Sequence, residues 1–163
     1  MKPYPLEDLL KIRDSREQTA TNRLAVSRHR MEEAEIRLQG KRRDLERFRS
    51  WRIQRETGLF DAVKKAPISL NELEKLKQTV QQLRGREAQL DLEMRQTETA
   101  KNEAAAQWEK DREALRAICR DHRKIREHKA VWFKEMQHKR ALAAELELEE
   151  FRAKPPAPEV LGV

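Results

Sequence analysis

Lys65-Ala66-Pro67-Ile68-Ser69-Leu70-Asn71-Glu72-Leu73-Glu74-Lys75-Leu76 is the stretch on which the reading of this chain turns. Pro67 lacks the amide that a helix interior uses, and its ring collides with the preceding turn. Two residues on, Ser69 and Glu72 stand at the spacing of a capping box. The Glu72 N–H can donate to the serine hydroxyl while the Ser69 N–H donates to the Glu72 carboxylate. Ile68, just before the cap, is placed to staple onto Leu73. One helix stops here and another starts.

The other prolines are Pro3, Pro5, Pro155, Pro156 and Pro158, all near the chain ends. Leu6 to Ala66 and Ile68 to Lys154 are therefore proline-free, and both are filled with the strong helix formers Glu, Lys, Arg, Gln, Ala and Leu. The expected fold is all-α: an elongated antiparallel two-helix coiled-coil hairpin, forming one domain over 1–163. Its helices are predicted at about 5–65 and 70–152, with a turn at 66–69 and an extended tail at 153–163. Gly58 is expected to loosen the first helix before the turn, since glycine costs about 1 kcal/mol in a helix interior.

Composition narrows the class. Charged residues make up 40% of the chain, aromatics 5%, and mean hydropathy is -0.99, too polar for an ordinary globular core. Disorder shares that composition. The apolar residues fall at helical spacing, however, which disorder does not require. No stretch is long and apolar enough to span a membrane, and the N-terminus lacks an apolar signal core. A single cysteine, Cys119, excludes an internal disulfide and fits the cytoplasm. Net charge is +7, concentrated at Lys41 to Arg55 and at Arg120 to Arg140. Interleaved Asp44, Glu46, Asp121, Glu127 and Glu135 also fit solvated helix faces with ordinary pairs.

Steps of four and three residues define one seam on each helix. The first runs Leu6, Leu10, Arg13, Glu17, Ala20, Leu24, Ser27, Met31, Ala34, Leu38, Lys41, Leu45, Phe48, Arg52. The second runs Leu73, Leu76, Val80, Leu83, Glu87, Leu90, Met94, Thr97, Lys101, Ala104, Trp108, Asp111, Leu115, Ile118, His122, Ile125, Lys129, Trp132, Met136. Arg13, Glu17, Lys41 and Arg52 interrupt the first, their long stems covering neighbours while their heads reach water. The middle of the second is polar and expected to be marginal. Folding at Pro67 sets Leu45 near Leu90, Leu24 near Trp108 and Leu10 near Ile125. From Lys129 to Arg152 the second helix then has no partner, yet it carries Trp132, Phe133, Met136, Leu142, Leu146, Leu148 and Phe151. Such a surface suggests a docking element.

No catalytic or metal site can be read. The glycines are isolated, and His29, His122, His128 and His138 do not form an i, i+4 pair. His122 lies on the seam and the other three are read as solvated. Two helices offer no concave pocket in which to tune carboxylates. The chain is read as a non-enzyme without a cofactor.

Near the turn, Ser50-Trp51-Arg52-Ile53, Leu59-Phe60-Asp61, Leu70 and Leu73-Glu74-Lys75 resemble the YscO family of type III secretion proteins, which is similar in role to flagellar FliJ. The specific part of the resemblance is Trp51 to Lys75; length, charge and layout extend it over nearly the whole chain. It implies the central stalk of a bacterial injectisome, at the cytoplasmic face of the secretion apparatus. The helix termini would enter the pore of a hexameric secretion ATPase and promote its assembly and activity. The hairpin tip would reach the cytoplasmic ring of the export gate, with export chaperones as further partners. At the tip, Phe48, Trp51, Arg52 and Phe60 are the expected contacts, aromatic and Arg side chains being enriched at hot spots. At the pore end, charge alone selects Arg123, Lys124, Arg126, Lys134 and Arg140. The alternatives are a generic coiled-coil tether or a nucleic-acid-binding coiled coil using Lys41 to Arg55. The interleaved acids and the lack of stacking aromatics weigh against nucleic acid.

Overall fold

A computed structural model describes residues 3–154. The tail expected beyond Lys154, with Pro155, Pro156 and Pro158, lies outside the described residues. Two helices, α1 (Glu7–Lys65, 59 residues) and α2 (Leu70–Ala153, 84 residues), run antiparallel as a hairpin, with no strand among the described residues. The chain falls into two compact units: a terminal unit of Met1–Thr19 with Arg116–Val163, and a turn unit of Ala20–Leu115.

In the turn unit the capping box forms as its spacing demands. The Ser69 N–H donates to Glu72 Oε2 at 2.9 Å and the Glu72 N–H to Ser69 Oγ at 3.3 Å. The first intrahelical bond of α2 follows, Leu73 N–H to the Ser69 carbonyl at 3.1 Å. Lys64 and Lys65 close α1, where cations complement the carbonyl end of the helix dipole. Gly58 does not loosen α1, which stays helical to Lys65. The cost of one glycine is outweighed because Glu56, Leu59 and Val63 continue the buried side of the helix through it.

Leu6 apart, every position of the two seams is buried or half-buried. Ala20, Ser27, Ala34, Leu38, Leu45 and Glu56 are the buried residues of α1, and Val80 and His122 are buried on α2; Leu38 is 2% exposed. Small residues at Ala20, Ser27 and Ala34 suit a row that has only one facing helix to fill it. Ser27 keeps its hydroxyl satisfied by donating to the Leu24 carbonyl at 3.1 Å.

The charged interruptions are not simply hydrated stems. Arg52 and Glu87, each an interruption of its own seam, pair with one another across the hairpin. Lys41 reaches Glu93 at 3.2 Å, and Lys101 reaches Glu35 at 3.5 Å. In the terminal unit Arg13 reaches Asp121 at 3.4 Å, Glu17 pairs with His122, and Glu7 meets Lys129 at 2.7 Å. These pairs set the register. Lys41–Glu93 and Arg49–Glu87 bracket the expected Leu45/Leu90 level, and Glu7–Lys129 lies one turn from the expected Leu10/Ile125 level.

Candidate functional site

The tip candidates belong to the turn unit and separate into three environments. Phe48 is half-buried on the seam and its ring meets that of Trp51, centroids 5.5 Å apart. Trp51 lies off the seam and is 50% exposed, its ring tilted 45° to that of Phe48. Phe60 is also off the seam, 44% exposed, and lines a groove with Leu73, Leu76 and Val80 of α2. Arg52 differs from the aromatics. Its side chain is 17% exposed and held by Glu87 and by Glu56 at 3.1 Å. It organises the helix pair beneath the aromatic surface.

Arg52 is part of a network that the residue pattern did not reveal. Glu56, buried, accepts from Arg84 at 3.2 and 3.4 Å and from Arg52. Glu87 accepts from Arg49 at 3.0 Å as well as from Arg52, and Arg49 also reaches Asp91 at 3.5 Å. Hydrogen bonds from Arg84, then from Arg52, hold the Glu56 carboxyl below the ordinary range despite its burial. For Glu87, burial pushes upward most strongly, but the combined bonds and charges of Arg52 and Arg49 bring the carboxyl down. Glu87 in turn pushes the Arg52 guanidinium up, with Glu56 second. Carrying the α1 seam one step past Arg52, by four residues, lands on Glu56. That is the signal by which this residue could have been found.

The same geometry weakens the nucleic-acid reading. Of the basic run Lys41 to Arg55, Lys41, Arg42, Arg49 and Arg52 are all committed to carboxylates of the facing helix: Glu93, Glu98 at 3.0 Å, Glu87 with Asp91, and Glu87. A phosphate backbone would have to displace these partners before gaining contact.

The basic candidates Arg123, Lys124, Arg126, Lys134 and Arg140 belong to the terminal unit, and all five are exposed. Lys124 lies 4.0 Å from Asp121, which also accepts from Arg13. Arg126 lines a groove of about 250 Å³ with Glu7, Leu10, Lys11, Asp14 and His122. Beneath them sits His122, 2% exposed and hydrogen-bonded to Glu17. That bond, foremost, and the nearby charges of His122 and Arg126 hold the Glu17 carboxyl low.

His128 is exposed, as expected, and its Nδ1 also shares a 2.6 Å hydrogen bond with the Tyr4 hydroxyl. One expectation for this unit needs correction: α2 does not lose its cover at Lys129. Tyr4, buried ahead of α1, packs edge-on against Trp132 at 5.6 Å, and Trp132 meets Phe133 at 5.0 Å. From Gln137 to Lys154 every residue is exposed, and the helix persists to Ala153. Among the described residues no helix is apolar enough to cross a membrane, and no group of His, Cys, Asp and Glu is placed to hold a metal ion.

Residues 6–154 match the family model of Type III secretion protein YscO. The structure resembles that of the type III secretion protein YscO from Vibrio parahaemolyticus, with 24% identity over 90% of this chain and 92% of that one, at a TM-score of 0.79. It also resembles a YscO homologue, CT670, from Chlamydia trachomatis, with 20% identity, 93% of each chain covered and a TM-score of 0.79. At these identities the likeness shows a shared fold. No curated protein matches the chain.

Proposed function

The chain belongs to the YscO family of type III secretion proteins, and from that premise we propose that it is the central stalk of a type III secretion system. Its helix termini enter the pore of the hexameric secretion ATPase and promote assembly and turnover. Its tip couples that motor to the cytoplasmic ring of the export gate and offers a surface to export chaperones. The protein works at the cytoplasmic face of the apparatus and catalyses nothing itself.

The observation that carries this reading is the exposure of Arg123, Lys124, Arg126, Lys134 and Arg140 on the terminal unit. These cations stand outward while the side chains beneath, His122 and Tyr4, are buried and hydrogen-bonded. Such a surface can meet acidic pore residues without unfolding the helix pair, and it would steer the docking encounter electrostatically. Exposed Trp51 and Phe60 on the turn unit, with Phe48 against Trp51 and Arg52 held by Glu56 and Glu87, supply the tip contact.

ATP hydrolysis by the cognate ATPase, measured with and without this protein alongside light scattering, tests the proposal. Turnover should rise as hexamers form. The Arg123→Glu, Lys124→Glu, Arg126→Glu triple variant should lower that stimulation by about tenfold or more while keeping its helical melt. Unchanged rate and assembly with the folded native chain would sink the stalk reading and leave a tether.

A further inference from the structure

The turn unit bears an apolar groove where the first seam positions of α2 meet the exposed Phe60 of α1. Phe60 of α1 and Leu73, Leu76 and Val80 of α2 form it, Lys77, Gln81 and Arg84 stand beside them, and its volume is about 380 Å³. Phe60 is exposed there although its ring is large and apolar. Lys77 makes no ion pair among the described residues, and Arg84, though bonded to Glu56, leaves 63% of its side chain exposed.

The terminal unit bears the complementary feature. Ala141, Ala144, Leu148 and Phe151 recur at three- and four-residue steps and so form one stripe along the last turns of α2. Leu148 is 60% exposed and Phe151 80% exposed. Glu145 and Glu147 flank the stripe on its two sides, and Glu149 and Glu150 add to the negative charge. Nothing within the described chain covers this surface.

We propose that the end of α2 in one copy of this chain docks into the Phe60–Leu73–Leu76–Val80 groove of a second copy. The lengths agree: Leu73 to Arg84 covers about 16 Å of helix and Ala141 to Phe151 about 15 Å, at 1.5 Å per residue. The charges agree as well, with carboxylates beside the stripe and cations beside the groove. Removing both apolar surfaces from water drives the contact, and the charge pairs fix its direction. Groove and stripe are different patches, so each copy offers one of each, and the contact is heterologous. A groove this short gives weak, reversible association, visible from micromolar to sub-millimolar protein. The proposal concerns the free chain alone and stands or falls independently of the stalk reading.

Sedimentation velocity of the full chain over that concentration range is the test, with circular dichroism confirming that each variant remains helical. Self-association should appear for the native chain and weaken about tenfold or more in Phe151→Glu and in Lys77→Glu. Mixing Lys77→Glu with the Glu145→Lys, Glu147→Lys variant should restore association that neither shows alone. A monomer at every concentration overturns the proposal. So does association that ignores both single variants, or a mixture that fails to recover. If the chain is monomeric and Lys77→Glu instead abolishes stimulation of the ATPase, the groove belongs to that partner and not to a second copy.

Discussion

At the scale of single residues, the hairpin is tied by carboxylates whose protons have been driven off. Glu17, Glu35, Glu56 and Glu87 all sit below the ordinary value of 4.5. For Glu35 the leading cause is the bond donated by Gln39, with Lys101 contributing from the facing helix. A depressed carboxyl takes up its proton in the unfolded chain first. Its contribution to stability is therefore complete above the unfolded value and is lost as pH falls through the folded one. The melting temperature is expected to hold from neutral pH down to about 5 and then drop steadily. Thermal melts followed by circular dichroism at a series of pH values check this, and a melt as high at pH 3 as at pH 6 would show that the pairs add nothing. The exposed ion pairs along single helices, such as Arg28–Glu32 at 2.9 Å, are expected to matter little in the same experiment.

At the scale of elements, the two seams were legible because their step pattern of four and three survives substitution by Arg, Glu and Lys. What those charged residues do was not legible. Arg52 looks like a flaw in its own helix and Glu87 in its own, and only the register brings them together. Tyr4 was hidden for another reason: it precedes the helix, so no periodicity points to it, yet it is buried against His128 and Trp132. Of the candidate site, the exposure of Trp51, Phe60 and the five cations could be anticipated from their off-seam places, whereas the Glu56–Arg84 link could not. The boundaries yield a paired prediction. Ser69→Ala removes the acceptor for the Glu72 N–H and should cost about 1 kcal/mol. Gly58→Ala, where an added Cβ meets nothing within 4 Å, should stabilise by about 0.5–1 kcal/mol. Denaturant melts of the two variants should move in opposite directions, and shifts of the same sign would refute the assignment.

At the scale of the whole molecule, the proposed stalk assigns separate tasks to separate surfaces. Trp51→Ala removes an exposed ring whose main neighbour is Phe48 and leaves Arg52, Glu56 and Glu87 in place. This variant should stimulate the ATPase as the native chain does while secretion falls several-fold, a loss of the size expected for an aromatic hot spot. Parallel measurement of ATP turnover and exported substrate decides the matter. Loss of both activities together would mean that Trp51 supports the fold and not a contact.

Tyr4 and Trp132 stand side by side where the first helix begins, and α2 runs on past them to Ala153. Tension applied between the two ends therefore falls on one contact at a time, beginning at Tyr4–Trp132 and Glu7–Lys129, and opens the pair like a zip.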